Sequence, residues 1–388
     1  MQFSKRMDRF GEEIFSSLNE KKTALEAQGR TFYNLSVGTP DFPVGEHIRQ
    51  ALTDSAKDPE SWKYTLRDIP ELLEAVCSYY KKRYDVDIKP EQVSGCFGSE
   101  EGVGLIGLAL CDEGDTVILP TPCYPVFMTC ADMAGADPYY YKMDEENNFL
   151  PDVKTIPAKI AKKAKFMIVS LPSNPAGSVG NEENYLEIID FAKKYDVLII
   201  HDNAYSDIIF EGGPGKSFLS YPGASDVGVE FFSLSKSFNM TGARVSFCIG
   251  RKDVVDAFKK LRSQIDFGMF LPIQKAAIAA LTGPQDALKT QCEAYRERRD
   301  ALCGGLRSIG WDVKDSKGSM FVWAKIPEGH GSGMEFCAEL MERSGVICTP
   351  GSSFGPAGEG YVRFALTLPA EKISEAVKAI EKSGILRN

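Results

Sequence analysis

The feature that most constrains this chain is the alternation of short apolar runs with amphipathic segments between about residues 93 and 250. The clearest apolar runs are TVILP (116–120), KFMIVSLP (165–172), DVLIIHD (196–202), VEFFSLS (229–235) and VSFCIG (245–250). Runs of this kind are typical of strands buried on both faces, whereas residues 185–195 have the apolar spacing of a helix. Alternating strands and helices predict a mostly parallel sheet covered on both faces. We therefore expect a doubly wound α/β domain.

The pattern changes after about residue 285. There we expect a long charged helix that includes residues 295–300, a pair of strands at GWDV (310–313) and SMFVWAKI (319–326), and a final helix from about Ala370 to Lys382. These elements predict a smaller α+β domain. We place the large domain at residues 46–285 and the small domain at residues 1–45 and 286–388, with an N-terminal arm. A chain of 388 residues is long enough to form both.

Charge and cysteine usage narrow the possible functions. The chain carries 45 Lys and Arg against 54 Asp and Glu, and this net charge of −9 disfavours binding to nucleic acid or to anionic membranes. Its ten cysteines form no C-x-x-C pair and its three histidines form no metal constellation, so we expect reduced thiols and no metal site. No signal-like or membrane-length apolar run is present, and we expect a cytoplasmic protein.

Polar or glycine-rich groups stand at or just after the carboxyl ends of five predicted strands. Four of these strands are the apolar runs that begin at residues 116, 165, 196 and 229, and the fifth is a run near residues 93–97. They are Ser99 and Glu100 at a glycine-flanked helix start, Tyr124 between two prolines, Asn174, Asp202 with Tyr205, and Ser233, Ser235 and Lys236 with Arg244 beyond them. Each group alone has an ordinary explanation, such as a surface lysine or a helix cap. Ligands of parallel sheets, however, lie beyond the carboxyl ends of the strands, and a glycine-flanked helix start suits a phosphate. Together the five groups predict a ligand site at one edge of the sheet.

Ordered motifs along nearly the whole chain resemble those of the fold-type I aminotransferases, class I/II. The motifs are NLSVGTPDFP (34–43), Tyr64 before PEL (70–72), GSEEG (98–102), Tyr124-Pro125, NPAG (174–177), DxxY (202–205), SxSKxxNxxGxR (233–244) and PGxxFG (350–355) leading to Arg363. The resemblance implies a fold-type I α/β enzyme that uses pyridoxal 5'-phosphate. Residues 201–207, 232–242 and 264–270 look most like the LL-diaminopimelate aminotransferase group.

The resemblance also implies a role for each site residue. Lys236 would hold the cofactor as a Schiff base and shuttle a proton, Asp202 would pair with the ring nitrogen, and Tyr205 would bind the phenolic oxygen together with Asn174. Tyr124 would stack on the ring. The expected phosphate ligands are Ser99, Glu100 through its backbone only, Ser233, Ser235, Arg244 and Tyr64 from the neighbouring subunit of a homodimer. The expected substrate ligands are Arg363 for the α-carboxylate, Gly38 and Asn174.

The implied reaction transfers the amino group of an L-amino acid to a 2-oxo acid, as in amino-acid biosynthesis. We expect 2-oxoglutarate as acceptor and LL-diaminopimelate or a related dicarboxylic amino acid as donor. Two alternatives stay open: a C–S β-lyase with the same cofactor, and a ligand-sensing domain without catalysis. The chain departs from the family pattern at Ala176, at Ala243 and in residues 67–69, where the usual glycine is missing. These departures bear on the substrate more than on the cofactor.

Overall fold

The structure is a computed structural model that describes residues 3–10 and 30–387. Residues 1, 2 and 11–29 of the predicted N-terminal arm lie outside the described residues, as does residue 388. In chain order the strands are β1 (Tyr33–Asn34), β2 (Val93–Cys96), β3 (Thr116–Thr121), β4 (Asp137–Lys142), β5 (Ala164–Ser170), β6 (Leu198–Asn203), β7 (Gly228–Ser233), β8 (Ser246–Gly250), β9 (Phe321–Lys325), β10 (Val346–Ile347), β11 (Thr349–Pro350) and β12 (Tyr361–Ala365).

The α-helices connect and cover these strands. They are α1 (Glu46–Lys57), α2 (Pro70–Tyr84), α3 (Ser99–Leu110), α4 (Val126–Ala134), α5 (Ala158–Ala161), α6 (Glu182–Tyr195), α7 (Ala224–Val227), α8 (Leu234–Ser237), α9 (Lys252–Arg262), α10 (Leu271–Thr282), α11 (Asp286–Ser308), α12 (Gly333–Ser344) and α13 (Ala370–Ser383). Local sequence explains several of their ends. The side chain of Asn181 caps α6 by accepting a hydrogen bond from the backbone of Asn184, and α2 begins at Pro70, whose missing N–H is not needed there.

A seven-stranded sheet forms the centre of the large domain. Its order is β2-β8-β7-β6-β5-β3-β4, and the strands from β7 to β4 are parallel, whereas β8 runs antiparallel to both β2 and β7. The residues of β6 and β7 are buried along their whole length, which explains why these strands read as continuous apolar runs. The predicted α/β class with a mostly parallel sheet is confirmed.

The smaller sheets differ from prediction in one strand. Strand β9 pairs with β12, and β12 with β11, all antiparallel, while β1 pairs parallel with β10. The strand predicted at GWDV (310–313) is therefore wrong. Trp311 instead packs edge-on against Phe336 and Phe364, and its Nε1 donates to the carbonyl of Lys325 at 2.7 Å. The apolar alternation of this segment reflects burial of side chains in the core and not pairing with another strand.

The region of the large sheet and the C-terminal part of the chain have separate apolar cores. One core packs on each face of the large sheet, with Phe232 on one side and Phe231 on the other. A third core contains Trp311, Phe364 and Leu35, so the segment after residue 30 joins the C-terminal part. All ten cysteines are free thiols. Within residues 3–10 and 30–387, no helix is long and apolar enough to cross a membrane.

Candidate active site

A cavity of about 720 Å³ opens at the carboxyl edge of the parallel strands, between the large sheet and the C-terminal part of the chain. The residues that sequence analysis selected and that line it are Gly38, Ser99, Glu100, Tyr124, Asn174, Asp202, Tyr205, Ser233, Ser235, Lys236, Arg244 and Arg363. Tyr64 is the exception, because it lies outside the cavity with 78% of its surface exposed. The groups that follow five different strands thus meet in one space, together with residues from both ends of the chain.

Lys236 stands on the single helical turn α8, directly after β7. The side chain of Ser233 caps this turn by accepting from the backbone N–H of Ser235 at 3.1 Å, and Gln291 donates to the carbonyl of Lys236 at 2.7 Å. The Nζ atom donates to the carbonyl of Gly38 at 2.6 Å. Burial lowers the pKa of Lys236 to about 8, and the nearby positive charges of two arginines act in the same direction. The neutral form of this amine is therefore a minor form near physiological pH, but far more populated than in an ordinary lysine.

Asp202 is the penultimate residue of β6 and is almost completely buried. Its Oδ1 atom has no hydrogen-bond partner, and burial raises the pKa of its carboxyl to about 6, although the charge of Lys236 opposes the rise. A buried carboxylate oxygen without a donor is costly, so it is a good acceptor for a ligand N–H group. Tyr205 follows closely in the chain, packs edge-on against Phe321, and has a pKa raised by burial.

Arg363 lies buried on β12, and only some of the N–H groups of its guanidinium have a hydrogen-bond partner in the protein. Nη1 donates to Oδ1 of Asn174 at 3.0 Å and Nη2 to the carbonyl of Ser36 at 2.8 Å, whereas Nε is buried without a partner. The rings of Phe321 and Phe354 lie 4.2 Å and 4.7 Å from Cζ. Burial lowers the pKa of Arg363 to about 10, so the group remains cationic at neutral pH.

One end of the cavity has the character of an anion site. The N-terminus of α3 opens there, and its free backbone N–H groups point away from the helix. The guanidinium of Arg244 lies over Gly98, which has φ 88° and where a Cβ atom would come within 2.5 Å of Nη2. Only glycine fits this position. The hydroxyl of Ser99 lies 2.8 Å from the hydroxyl of Ser246, so the side chain of Ser99 already has a partner within the protein.

Glu100 brings a negative charge to the same end. Its Oε1 accepts a hydrogen bond from the hydroxyl of Tyr124 at 3.1 Å, and its Oε2 lies 3.8 Å from Nη2 of Arg244. Burial raises the pKa of Tyr124, and the carboxylate of Glu100 adds to the rise. A carboxylate repels a phosphate, so binding of a phosphate by the backbone of Glu100 alone stays a prediction.

The residues present fit pyridoxal phosphate. The cavity combines an anion site at one end, an amine on Lys236, and the unpartnered oxygen of Asp202, which suits the protonated nitrogen of a pyridine ring. The described residues contain no cluster of three or more His, Cys, Asp or Glu side chains in position to hold a metal ion. The chemistry of the cavity is that of an organic cofactor with an aldehyde, a ring nitrogen and a phosphate.

Sequence reasoning missed several residues around Arg363. Ser36 and Thr349 contact its guanidinium, the latter through Oγ1 at 3.4 Å, and Phe321 and Phe354 enclose it. Phe354 belongs to the PGxxFG motif (350–355), but the motif by itself predicted no role for this residue. Phe321 is part of a predicted strand, and nothing in its local pattern distinguishes a cavity wall from an ordinary core residue.

Comparison with known proteins identifies the family. The family model for aminotransferase class I and II matches residues 30–380. The chain belongs to this family. It is a pyridoxal-phosphate-dependent aminotransferase, which confirms the predicted enzyme class and cofactor. The alternative of a ligand-sensing domain without catalysis has no support from these comparisons.

Similar aminotransferases cover almost the whole chain. An LL-diaminopimelate aminotransferase of Halothermothrix orenii is 40% identical over 374 residues, 96% of each chain, and one of Aquifex aeolicus is 39% identical, with 98% of each chain covered. Among solved structures, substrate-bound BacF from Bacillus subtilis has a TM-score of 0.94 at 33% identity over 98% of each chain. A probable N-succinyldiaminopimelate aminotransferase from Thermus thermophilus has a TM-score of 0.91 at 32% identity, covering 96% of this chain and all of that one.

Proposed function

We propose that this aminotransferase transfers the amino group of LL-diaminopimelate, or of a related dicarboxylic L-amino acid, to 2-oxoglutarate. The observation that carries the reaction type is the placement of the amine of Lys236 in one cavity with Asp202 and Arg363. The names of the sequence relatives and of one structural relative support the choice of donor, since they act on diaminopimelate or its N-succinyl derivative. The acceptor is proposed from the family resemblance.

We assign the cofactor contacts by chemistry. Pyridoxal phosphate supplies an aldehyde that captures amino groups and a ring that absorbs electrons from the substrate Cα. Asp202 would accept a hydrogen bond from the ring nitrogen, and its buried, unpartnered Oδ1 supports this role. Tyr205 and the amide NH₂ of Asn174 would donate to the phenolic oxygen, because the amide oxygen already accepts from Arg363. Tyr124 would lie against the ring face.

The phosphate contacts lie at the start of α3. Ser99 and Glu100 would contribute backbone N–H groups, and Ser233 and Ser235 their side chains or backbone. Arg244 would add a charge-assisted hydrogen bond. The proximity of Gly98 and Arg244 supports this assignment, because it places the guanidinium beside the N-terminus of α3.

Two residues perform the substrate chemistry in this proposal. Arg363 would bind the α-carboxylate of donor and acceptor, since its guanidinium is cationic, buried and has donor capacity left at Nε. Lys236 would move the proton to and from the substrate Cα, and its pKa of about 8 suits a base at neutral pH. The carbonyl of Gly38 accepts from Nζ of Lys236. A Cβ at this position would come within 2.6 Å of Phe321, so only glycine leaves the backbone this close.

We also propose that the enzyme is a homodimer in which Tyr64 completes the site of the neighbouring subunit. Tyr64 belongs to an exposed apolar patch whose further members are Trp62, Leu66, Ile265, Phe267 and Phe270. The rings of Tyr64 and Phe267 lie 5.1 Å apart, as do those of Trp62 and Phe270. Several large apolar side chains exposed in two neighbouring chain segments are typical of a protein–protein interface. A second copy of the chain would cover them.

The domain boundaries and the location of the enzyme remain proposals as well. We keep residues 46–285 as the large domain and residues 1–45 and 286–388 as the small one. The separate core that joins Leu35 to Trp311 and Phe364 supports this division. A cytoplasmic location is likewise proposed from the composition of the chain.

A panel of amino donors tests the substrate assignment. Purified enzyme with 2-oxoglutarate would be given diaminopimelate, N-succinyldiaminopimelate, aspartate, alanine, glutamine or an aromatic amino acid, and glutamate formation would be followed. We expect the highest kcat/KM with diaminopimelate. A preference of tenfold or more for another donor would refute the substrate assignment. Release of pyruvate and ammonia from a cysteine conjugate without any oxo acid would instead support the β-lyase alternative.

A further inference from the structure

A fully buried acid–base pair lies directly behind Asp202. His201 precedes Asp202 on β6, so the two side chains point to opposite faces of the sheet. Glu230 is the neighbour of His201 on β7, and its Oε2 lies 3.1 Å from Nδ1 of His201. Neither side chain has any exposed surface. The pair faces away from the cavity and has no part in the contacts proposed above.

Glu230 is ionised in this environment. Its two oxygens accept hydrogen bonds from the hydroxyls of Tyr80 at 2.6 Å and Ser217 at 2.8 Å, and from the backbone N–H of Phe218 at 2.7 Å. Burial raises the pKa of Glu230, but the contact with His201 and these donors outweigh it and lower the pKa overall. A carboxylate this deeply buried needs a positive partner.

His201 is the partner that the structure provides. Its Nδ1 donates to Glu230, while its Nε2 lies 3.4 Å from the hydroxyl of Tyr185. That hydroxyl is also 3.4 Å from the carbonyl of Leu171, which can only accept. When Tyr185 donates to Leu171, its oxygen is left to accept from Nε2. In that arrangement both ring nitrogens of His201 donate, which is the geometry that an imidazolium satisfies.

We propose that His201 is an imidazolium paired with Glu230, and that this pair is a positioning element that keeps Asp202 ionised on the opposite face of β6. The proposal rests on the proposed function, because it is Asp202 that we assign to the ring nitrogen of the cofactor. Without the imidazolium, Glu230 would be an unbalanced negative charge behind a second buried carboxylate. Asp202 would then take up a proton and lose its capacity to accept from a protonated ring nitrogen.

The charges around the two carboxylates agree with this arrangement. The titratable groups that line the cavity together with Asp202 are Lys236, Tyr124, Tyr205, Arg363, Glu100, Arg244 and Cys348. Those that surround the pair on the other face are Tyr80, Tyr185 and Tyr221. Burial has the largest effect on the pKa of Asp202 and raises it. The charge of His201 has the next largest effect and lowers this pKa, whereas the charge of Glu230 raises it. The imidazolium thus acts on Asp202 in the direction that the proposal requires.

The protonation state of His201 can be measured directly in the cofactor-bound enzyme. The chain has three histidines, so nitrogen-15 spectra of the rings can be assigned with His47→Asn and His330→Asn variants. We expect both ring nitrogens of His201 to be protonated at pH 7.5. A neutral ring at this pH would overturn the proposal, and this measurement does not depend on whether any variant of the pair folds.

Variants test the effect on Asp202. The dissociation constant of pyridoxal phosphate would be measured between pH 5 and 7.5, where protonation of Asp202 weakens binding. The dissociation constant should rise as the pH falls. His201→Gln should move the midpoint of this rise to a pH that is higher by about one unit or more, because the negative charge of Glu230 is left uncompensated. His201→Gln combined with Glu230→Gln removes both charges and should bring the midpoint back to within about half a unit of wild type.

Controls separate this effect from loss of structure. Ser217→Ala removes a hydrogen bond to Glu230 without changing either charge, so it should lower the melting temperature and leave the midpoint unchanged. An unshifted midpoint in folded His201→Gln, or a double variant shifted as far as the single one, contradicts the proposal. If Asp202→Asn leaves cofactor affinity unchanged across this pH range, the proposed function of Asp202 fails instead.

Discussion

Replacing Arg363 with lysine should separate charge from geometry in substrate binding. Lysine keeps a positive charge at this position but cannot form two parallel hydrogen bonds to a carboxylate. Each charge-assisted hydrogen bond is worth about 1.5–3 kcal/mol. Loss of one such bond corresponds to a decrease of roughly 10- to 150-fold in kcat/KM, since about 1.4 kcal/mol is a factor of ten. Arg363→Ala, which loses both, should lower kcat/KM by about 10²- to 10⁴-fold.

The assay compares donors that share the α-carboxylate with one that lacks it. KM should rise for every amino acid tested, while the absorbance of the bound cofactor is retained. 1,5-Diaminopentane, which is diaminopimelate without its two carboxylates, has no group for Arg363 to bind, so its slow turnover should change little.

A second buried arginine supplies the matched control. Arg299 donates to the carbonyl of Ser316 at 3.0 Å and lies over the ring of Phe210, away from the cavity. Arg299→Lys should lower thermal stability without changing KM. An Arg363→Lys enzyme with wild-type KM, or one equally impaired with the amine that lacks a carboxylate, would refute the assignment of Arg363.

Further predictions concern the cofactor. Lys236→Ala should abolish the visible band of the covalently bound cofactor and its reduction by borohydride, and a reducible band that persists would remove Lys236 from the site. In the wild-type enzyme, the rate at which pyridoxal phosphate attaches to the apoenzyme should increase about tenfold between pH 7 and pH 9 and then level off. The reason is that the neutral amine is the nucleophile and the pKa of Lys236 is about 8. A rate that still rises above pH 10 would indicate an ordinary lysine. Tyr64→Phe should weaken cofactor binding about tenfold or more, for loss of one hydrogen bond to phosphate, while sedimentation still shows a dimer. Full cofactor affinity in that variant, or a wild-type monomer with full affinity, would exclude the role of Tyr64.

Most of the large sheet could be predicted from the sequence because its strands are buried on both faces. The predicted runs at 116–120 and 165–172 correspond to strands Thr116–Thr121 and Ala164–Ser170. Strand Asp137–Lys142 was not predicted. It is the edge strand of the sheet, with several partly exposed residues, and so has no continuous apolar run. Residues 310–313 were wrongly assigned to a strand because an alternating pattern does not distinguish pairing from packing.

The site could be anticipated only in part. Residues that follow strands, such as Asp202 and Lys236, were found because the strands are parallel and their carboxyl ends meet at one edge. The walls around Arg363 were not found, since Ser36, Phe321 and Phe354 come from three separate segments and converge only in the folded chain. No sequence pattern linked His201 to Glu230, because the two residues meet only through the pairing of β6 with β7.

The sequence by itself therefore determined the class of fold, the family and the set of candidate site residues, because periodicity and motif order are local properties of the chain. Only the tertiary structure decided the pKa values of these residues and the partners of their side chains. The pKa values of Lys236 and Asp202 depend on burial and on charges that are distant in sequence, and the pairing of His201 with Glu230 depends on the register of two neighbouring strands. Electrostatic interactions act through space, and the distances that set them are created by folding.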